Sequence, residues 1–263
     1  MRFCSLGSGS GGNASLVEAS QGITNTQLLV DCGFSLRELT RRLARAGSSP
    51  AELDAVFITH EHGDHVGCAL QLAQQYRIPL WTSRGTWRAI AHKAGQEFDP
   101  GLLRWVKDGE TIELGDLQIQ AFAVPHDANE PLHLRCNDGR ASLGLITDLG
   151  HACASVARAL HGCQALLLEC NHDEALLRAS SYPASLKRRI LGSHGHLSNE
   201  SAAELLAQCL HPGLQRVVAA HLSESNNTPA LAAASLAAVL GGSADQVVAV
   251  ASQNEGCPWF DLS

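Results

Sequence analysis

Thr59-His60-Glu61-His62-Gly63-Asp64-His65 places three imidazoles and two carboxylates within seven positions. Crowding such groups at one point is costly unless a cation compensates them. The preceding Asp54-Ala-Val-Phe-Ile58 is a short apolar run with β-branched residues and reads as a buried strand. The cluster therefore begins where a core strand stops, and the carboxyl ends of strands are where α/β sheets bind ligands. Neutral imidazole and carboxylate suit a borderline divalent ion, zinc or manganese, with iron also admissible. A solvated polar turn would explain one such histidine. It does not explain three of them with an aspartate directly after a buried strand.

Outward from this stretch the same arrangement repeats. Leu117 to Val124 alternates as a strand and runs into Pro125-His126-Asp127, Ala141 to Thr147 stops at Asp148, and Arg216-Val-Val-Ala-Ala ends at His221. Residues distant in sequence but all at strand ends can converge on one rim. A further apolar strand, Ala165 to Glu169, is followed by Asn171-His172-Asp173, where His172 is either a partner of the site or part of a polar helix start.

Other segments frame the cluster. Gly7-Ser-Gly-Ser-Gly-Gly12 fits G-x-G-x-x-G, with Asp31 about twenty residues on. No crossover helix fits before Gly22, and Ala14 to Glu18 reads as a strand, so a dinucleotide site is rejected in favour of a tight turn whose amides could face an anion. Ser35-Leu-Arg-Glu38 opens a helix as a capping box, with Arg37, Arg41, Arg42 and Arg45 read as its solvated face. Val66 to Tyr76 reads as one helix, Ser198 as the N-cap of a helix over Asn199 to Leu210, and Gln246 to Val250 as the last strand.

The chain has 263 residues, no Pro- or Ser-rich linker and no sequence repeat, which favours one continuous domain of mixed sheet and helices over 1–263. No apolar run approaches a membrane span, and the start turns to Gly and Ser too early for a secretory signal. Nine scattered cysteines without a C-x-x-C pair fit reduced thiols in a cytoplasmic protein. The formal charge of −7 gives no general affinity for nucleic acid, so a polyanionic substrate would need bound metal and a local basic patch. Lys187-Arg188-Arg189 is the candidate patch; a solvated charge run is the alternative.

The pattern H-x-H-x-D-H followed by separate His, Asp and His resembles the metallo-β-lactamase superfamily over essentially the whole chain. Phe3-Cys-Ser-Leu-Gly-Ser-Gly-Ser, Pro125-His-Asp-Ala, Thr147-Asp-Leu-Gly, Glu169-Cys-Asn-His-Asp, Gly195-His-Leu-Ser-Asn and His221-Leu-Ser-Glu-Ser-Asn-Asn resemble its bacterial YycJ-type (WalJ-type) subgroup, a relative of the ribonuclease Z and phosphodiesterase branches. The resemblance implies a four-layer αββα sandwich with a di-metal site at one edge of the facing sheets. It assigns His60, His62 and His126 to one ion, Asp64, His65 and His221 to a second, and Asp148 as the bridge between them. Asp64 then counts as catalytic as well as ligating. Asp31 would orient the cluster from behind. His196 resembles the histidine that those branches place beside the scissile phosphate; loop stabilisation is its alternative role.

Two ions about 4 Å apart would activate water and stabilise the entering and leaving oxygens of an in-line displacement. The implied activity is therefore phosphodiester hydrolysis, most specifically a DNA exonuclease, five-prime-directed and serving repair. A phosphodiesterase for a small cyclic or nucleotide substrate, a glyoxalase-like thioesterase and a non-catalytic metal-binding regulator are the competitors. The ion's identity, DNA against RNA, and the oligomeric state, a homodimer among the options, stay open at this point.

Overall fold

The computed structural model describes residues 1–241 and 244–263. The first half of the chain supplies strands β1 (Arg2–Gly7), β2 (Ala14–Ser20), β3 (Asn25–Val30), β4 (Ala55–Phe57), β5 (Leu80–Thr82) and β6 (Leu103–Trp105). The second supplies β7 (Thr111–Leu114), β8 (Leu117–Ala123), β9 (Leu132–Asn137), β10 (Ser142–Ile146), β11 (Ala165–Glu169), β12 (Arg216–Ala220) and β13 (Val248–Val250), and β14 (Cys257–Asp261) returns to the first sheet. Two seven-stranded sheets result, ordered β14-β1-β2-β3-β4-β5-β6 and β13-β12-β11-β10-β9-β8-β7.

Each sheet obeys one plan. From β14 to β3 and from β7 to β10 neighbours are antiparallel; from β3 to β6 and from β10 to β13 they are parallel. This duplication of topology has no counterpart in the sequence, because a pairing order can recur without any residue recurring.

The period-two alternation of the strands sorts their side chains between layers. Leu28, Val30 and Phe57 of one sheet meet Ile119, Leu134, Leu145, Leu167 and Val218 of the other. The intervening residues face outward to helices. Leu29 and Val56 pack under α1 (Leu36–Arg45), and Leu80 with them under the helices that follow the His cluster. Those helices are α2 (Gly63–Val66), α3 (Ala69–Tyr76) and α4 (Arg84–Ile90). On the other side Ile146, Leu166, Leu168 and Val217 pack under α5 (Ala154–Leu160), α8 (Asn199–Cys209) and α9 (Pro229–Leu240). The short helices α6 (Glu174–Ala179), α7 (Ala184–Ile190) and α10 (Ala244–Val247) complete the set. Strands buried on both faces carry continuous apolar runs, which is why they read so clearly. The architecture is the expected αββα sandwich.

Three expectations need correction. The helix foreseen over Val66 to Tyr76 breaks at Gly67, whose φ of 34° and close approach to the Cys32 carbonyl exclude a side chain. The strand expected to be last starts at Val248, two positions after Gln246, because Ala244–Val247 is helical, and β14 follows it. Arg42 is not on a solvated face, whereas Arg45 stays exposed as expected but is tied down as well. Arg42 is 5% exposed, donates to the Leu6 and Gln253 carbonyls, and lies 4.0 Å from the Phe34 ring centroid. Arg45 reaches the carbonyls of Leu6, Asn254 and Glu255. Together they bolt α1 to β1 and to the turn before β14.

Candidate metal centre

The strands β3, β4, β8, β10, β11 and β12 all deliver their carboxyl ends to one edge of the sandwich. Two of the residues delivered there, Asp31 (φ 61°) and His221 (φ 54°), take left-handed backbone, a conformation that costs a non-glycine residue on the order of 1–3 kcal/mol. Strain of this kind persists where surrounding contacts fix it. Asp31 Oδ1 accepts the Thr59 amide at 2.9 Å, Thr59 Oγ1 donates to the same carboxylate, and the His221 amide donates to Ser8 Oγ at 2.8 Å.

Potential ligand atoms gather in four overlapping groups; two of them are His60/His62/His126 and Asp64/His65/His221, and the other two, His60/His65/Asp148 and Asp148/Glu169/His196/His221, share Asp148. His60 Nε2 lies 3.1 Å and His126 Nε2 3.3 Å from His62 Nδ1. Asp64 Oδ2 lies 3.6 Å from His65 Nε2 and 3.5 Å from His221 Nε2. The Asp148 carboxylate sits between them: Oδ2 is 3.0 Å from His65 Nε2, and Oδ1 is 3.8 Å from His126 Nε2 and 3.3 Å from His221 Nδ1. All seven residues assigned as ligands therefore meet at one point.

The donor chemistry fits divalent cations. His221 Nε2 and Asp148 Oδ2 are buried without a hydrogen-bond partner, which is unusual for polar atoms in a native interior. Burial, and next the charge of His65, hold His60 well below the usual imidazole range, and burial holds His126 down at about 4. These are neutral imidazoles with lone pairs to offer. Burial opposes protonation of His65 and His221 as well, but Asp148 and Asp31 overcome it for His65. Asp148, Asp64 and Glu169 push His221 up to about 10. The carboxylates thus call for positive charge at this point, which divalent ions would supply while leaving both imidazoles as ligands.

Behind the ligands stand two carboxylates in equivalent roles. Asp31 Oδ2 accepts from His65 Nδ1 at 2.8 Å, as the sequence suggested. Glu169 was not foreseen. It is fully buried and accepts from His196 Nδ1 at 2.7 Å, His221 Nδ1 at 3.0 Å, and the Leu149 and Leu197 amides. As the last residue of an apolar strand it had the signature of His60 and Asp148, and that signature could have found it. His133, given no role from sequence, donates through Nε2 to the Asp148 carbonyl at 2.9 Å and fixes the turn that presents the carboxylate.

The Gly-rich turn also belongs to the site, with Ser10 lining the cleft beside the ligands. Three of its amides have partners within the protein: Gly9 on Asn13 Oδ1, Gly11 on Gln253 Oε1 and Gly12 on the Gly9 carbonyl. What it positions is Asn13, whose amide donates to the Asp64 carbonyl at 2.7 Å and whose Nδ2 is 3.1 Å from His65 Nε2.

An open cleft of about 390 Å³ leads to the ligands, lined among others by Asp64, Asp148, His196, His221, Tyr182 and Arg189. His196 is therefore at the ligands' rim. The predicted basic run divides. Arg189 lines the cleft and pairs with Asp127, while Arg188 is exposed. Lys187 is a correction: its ammonium is consumed by the Arg178 and Ser180 carbonyls, capping α6. His172 is 1% exposed, with neither ring nitrogen hydrogen-bonded, and it does not touch the ligands; its neighbour Asp173 caps α6 through the Leu176 amide.

Comparison with known proteins identifies the family. The family model of the beta-lactamase superfamily domain matches residues 26–222. The chain is 37% identical over 232 residues to the exodeoxyribonuclease WalJ of Streptococcus pneumoniae, covering 88% of this chain and 85% of that protein. It is 35% identical over 241 residues to the exodeoxyribonuclease YycJ of Bacillus anthracis, covering 91% and 89%. The solved structure of zinc-bound PqqB from Methylobacterium extorquens superposes with a TM-score of 0.74 over 100% of both chains, at 18% identity, a likeness of fold alone. The chain belongs to the metallo-β-lactamase superfamily of hydrolases, as a relative of the WalJ and YycJ proteins.

Proposed function

We propose that the protein is a di-metal phosphodiester hydrolase that shortens DNA from an end. The observation that carries the reading is Asp148, whose carboxylate touches both the His60/His62/His126 group and the Asp64/His65/His221 group. A shared carboxylate of this kind suits two ions working on one substrate group. Zinc or manganese fits the donors, and when bound the pair would acidify water and neutralise phosphate charge. DNA as substrate is supported by the two exodeoxyribonuclease relatives, each aligned over more than four-fifths of its length.

The chain's own groups have distinct tasks. His196 Nδ1 is held by Glu169, so Nε2 is left for the cleft that the residue lines. Burial opposes its protonation, but Glu169 outweighs burial and raises its proton affinity. A protonated His196 is suited to give its Nε2 proton to the leaving oxygen. Arg189, half tied by Asp127, is a candidate contact for the phosphate beside it.

The test uses end-labelled duplex and single-stranded DNA, matching RNA and bis-p-nitrophenyl phosphate, each with added manganese or zinc, beside Asp64→Ala. Progressive shortening of DNA is expected, lost at least about a hundredfold in the variant, since removing even a partner of a metal ligand costs 10–100-fold. Cleavage of the small ester alone would contradict the nuclease reading.

A further inference from the structure

A protein with 26 acidic and 19 basic side chains can hold a nucleic acid only through a local patch. The run at 187–189 supplies only part of one, because Lys187 is spent on carbonyls and Arg189 is half tied by Asp127. Residues 84–107 form another basic stretch: Arg84, Arg88, Lys93, Arg104 and Lys107 stand against only Glu97 and Asp99.

Their placement matters more than their number. β3, β4, β5 and β6 are parallel, so all four end on the same edge. β3 and β4 deliver Asp31 and the His cluster there. β5 delivers Arg84 at the start of α4, and β6 delivers Trp105 and then Lys107. Neighbouring strands lie about 4.8 Å apart, so the end of β6 is roughly 10 Å from the end of β4, or about three nucleotide steps of a duplex strand. The segment between them is pinned. Glu130 accepts the Gly85 amide at 2.6 Å, and Glu61, inside the His cluster, accepts from Asn129. The start of α4 is therefore fixed to the loop that borders the metal ligands.

The Arg84 guanidinium lies 4.9 Å from the Trp105 ring centroid, and Trp105 packs on Trp87, which packs on Phe98. Arg84, Arg88 and Lys107 are exposed and, among the described residues, have no carboxylate partner. Arg41, Arg77, Arg178 and Arg189, also exposed, each have one; Arg37, Arg140, Arg158 and Arg188 are exposed without one, but none of them lies over an aromatic ring among the described residues. A guanidinium held over an indole, without a carboxylate partner, keeps its donors for a phosphate, and the aromatic group beside it can stack a base.

We infer that the β5–β6 end of this edge, Arg84 with Trp105, Arg88 and Lys107, is the track for the DNA strand beyond the bond being cut. The inference rests on the nuclease reading above and adds a second binding region to it. It explains how an acidic protein holds a polyanion without placing cations among the metal ligands. It also requires that substrates too short to reach the track gain nothing from it.

The test compares the metal-loaded protein with Arg84→Glu/Arg88→Glu on a duplex oligonucleotide and on bis-p-nitrophenyl phosphate, across a salt series. A control reverses the same charge at the far edge, Arg140→Glu/Arg158→Glu, two exposed arginines of the β9–β10 turn and the last turn of α5. Turnover of the ester is expected to be unchanged in all three proteins, which also reports the fold. KM for the oligonucleotide should rise about tenfold or more in Arg84→Glu/Arg88→Glu alone, with the slope of log KM on log salt falling by about 2. An unchanged KM and slope, or an equal effect in the control, would overturn the track. Ester cleavage without any DNA cleavage by the parent protein would instead overturn the nuclease reading, and the track with it.

Discussion

At the scale of single residues, the proposed chemistry would depend on carboxylates set behind the candidate ligands. Asp31 and Glu169 each accept from the Nδ1 of a histidine in the second group, His65 and His221, at 2.8 and 3.0 Å. Such partners fix the tautomer that leaves Nε2 for a metal ion, and their loss typically weakens affinity 10–100-fold. Asp31→Asn is therefore expected to lower the affinity of one ion by that factor and leave the other nearly unchanged, as read by titration with a metal-sensitive dye. Glu169→Gln should do the same and also disturb His196, which Asp31→Asn does not contact. Asp31 was legible from sequence because it stands at the end of a strand and matches the first motif of the superfamily. Glu169 had an equivalent strand-end position and was passed over, because a carboxylate closing an apolar strand also reads as the strand's edge. The burial that makes it functional is a tertiary fact.

At the scale of elements, turns hold the ligand loop at close quarters to its neighbours. A Cβ on Gly33 would lie 1.7 Å from the Asp64 carbonyl oxygen, and one on Gly67 2.2 Å from the Cys32 carbonyl oxygen. Gly33→Ala should thus displace the backbone of Asp64 and release the ion of the Asp64 group before that of the His60 group, measurable as a loss of one ion per chain. The helix α1 offers a separate test of stability. Arg42 joins Glu38, two carbonyls and Phe34 while nearly excluded from water. Arg42→Met should cost about 2–4 kcal/mol in urea unfolding, since buried carbonyls lose charged donors. An effect below about 0.5 kcal/mol would show the arginine to be solvated, as the amphipathic pattern suggested. That pattern could mark which face of α1 meets β3 and β4 but not that a turn 210 residues away would cover the basic face. The break at Gly67 escaped for a related reason, because helical periodicity continues across it.

At the scale of the whole molecule, the sandwich places two topologically equivalent sheets so that their strand ends form a single rim. The first sheet contributes His60, His62, Asp64 and His65, and the second contributes His126, Asp148 and His221. On the di-metal reading, neither half could hold both ions. Bound metal should accordingly stabilise the docking of the halves: at a thousandfold excess over the dissociation constant the linkage is worth about 4 kcal/mol. Chelation is expected to lower Tm by roughly 8–16 °C for a protein of this size, reversibly on adding back metal, by scanning calorimetry. The strand ends, and with them the rim, were readable in the sequence because apolar runs stop abruptly at polar residues. The internal duplication was not, because it is a repeat of pairing order rather than of residues. No helix among the described residues is long and apolar enough to cross a membrane.

The most direct measurement is the metal content of the purified protein by atomic emission after loading with manganese or zinc, repeated on His62→Ala and Asp64→Ala. Two ions per chain, falling to about one in each variant, is the result expected of two groups sharing Asp148. A single ion in the parent protein, or two ions retained in both variants, would contradict the di-metal site.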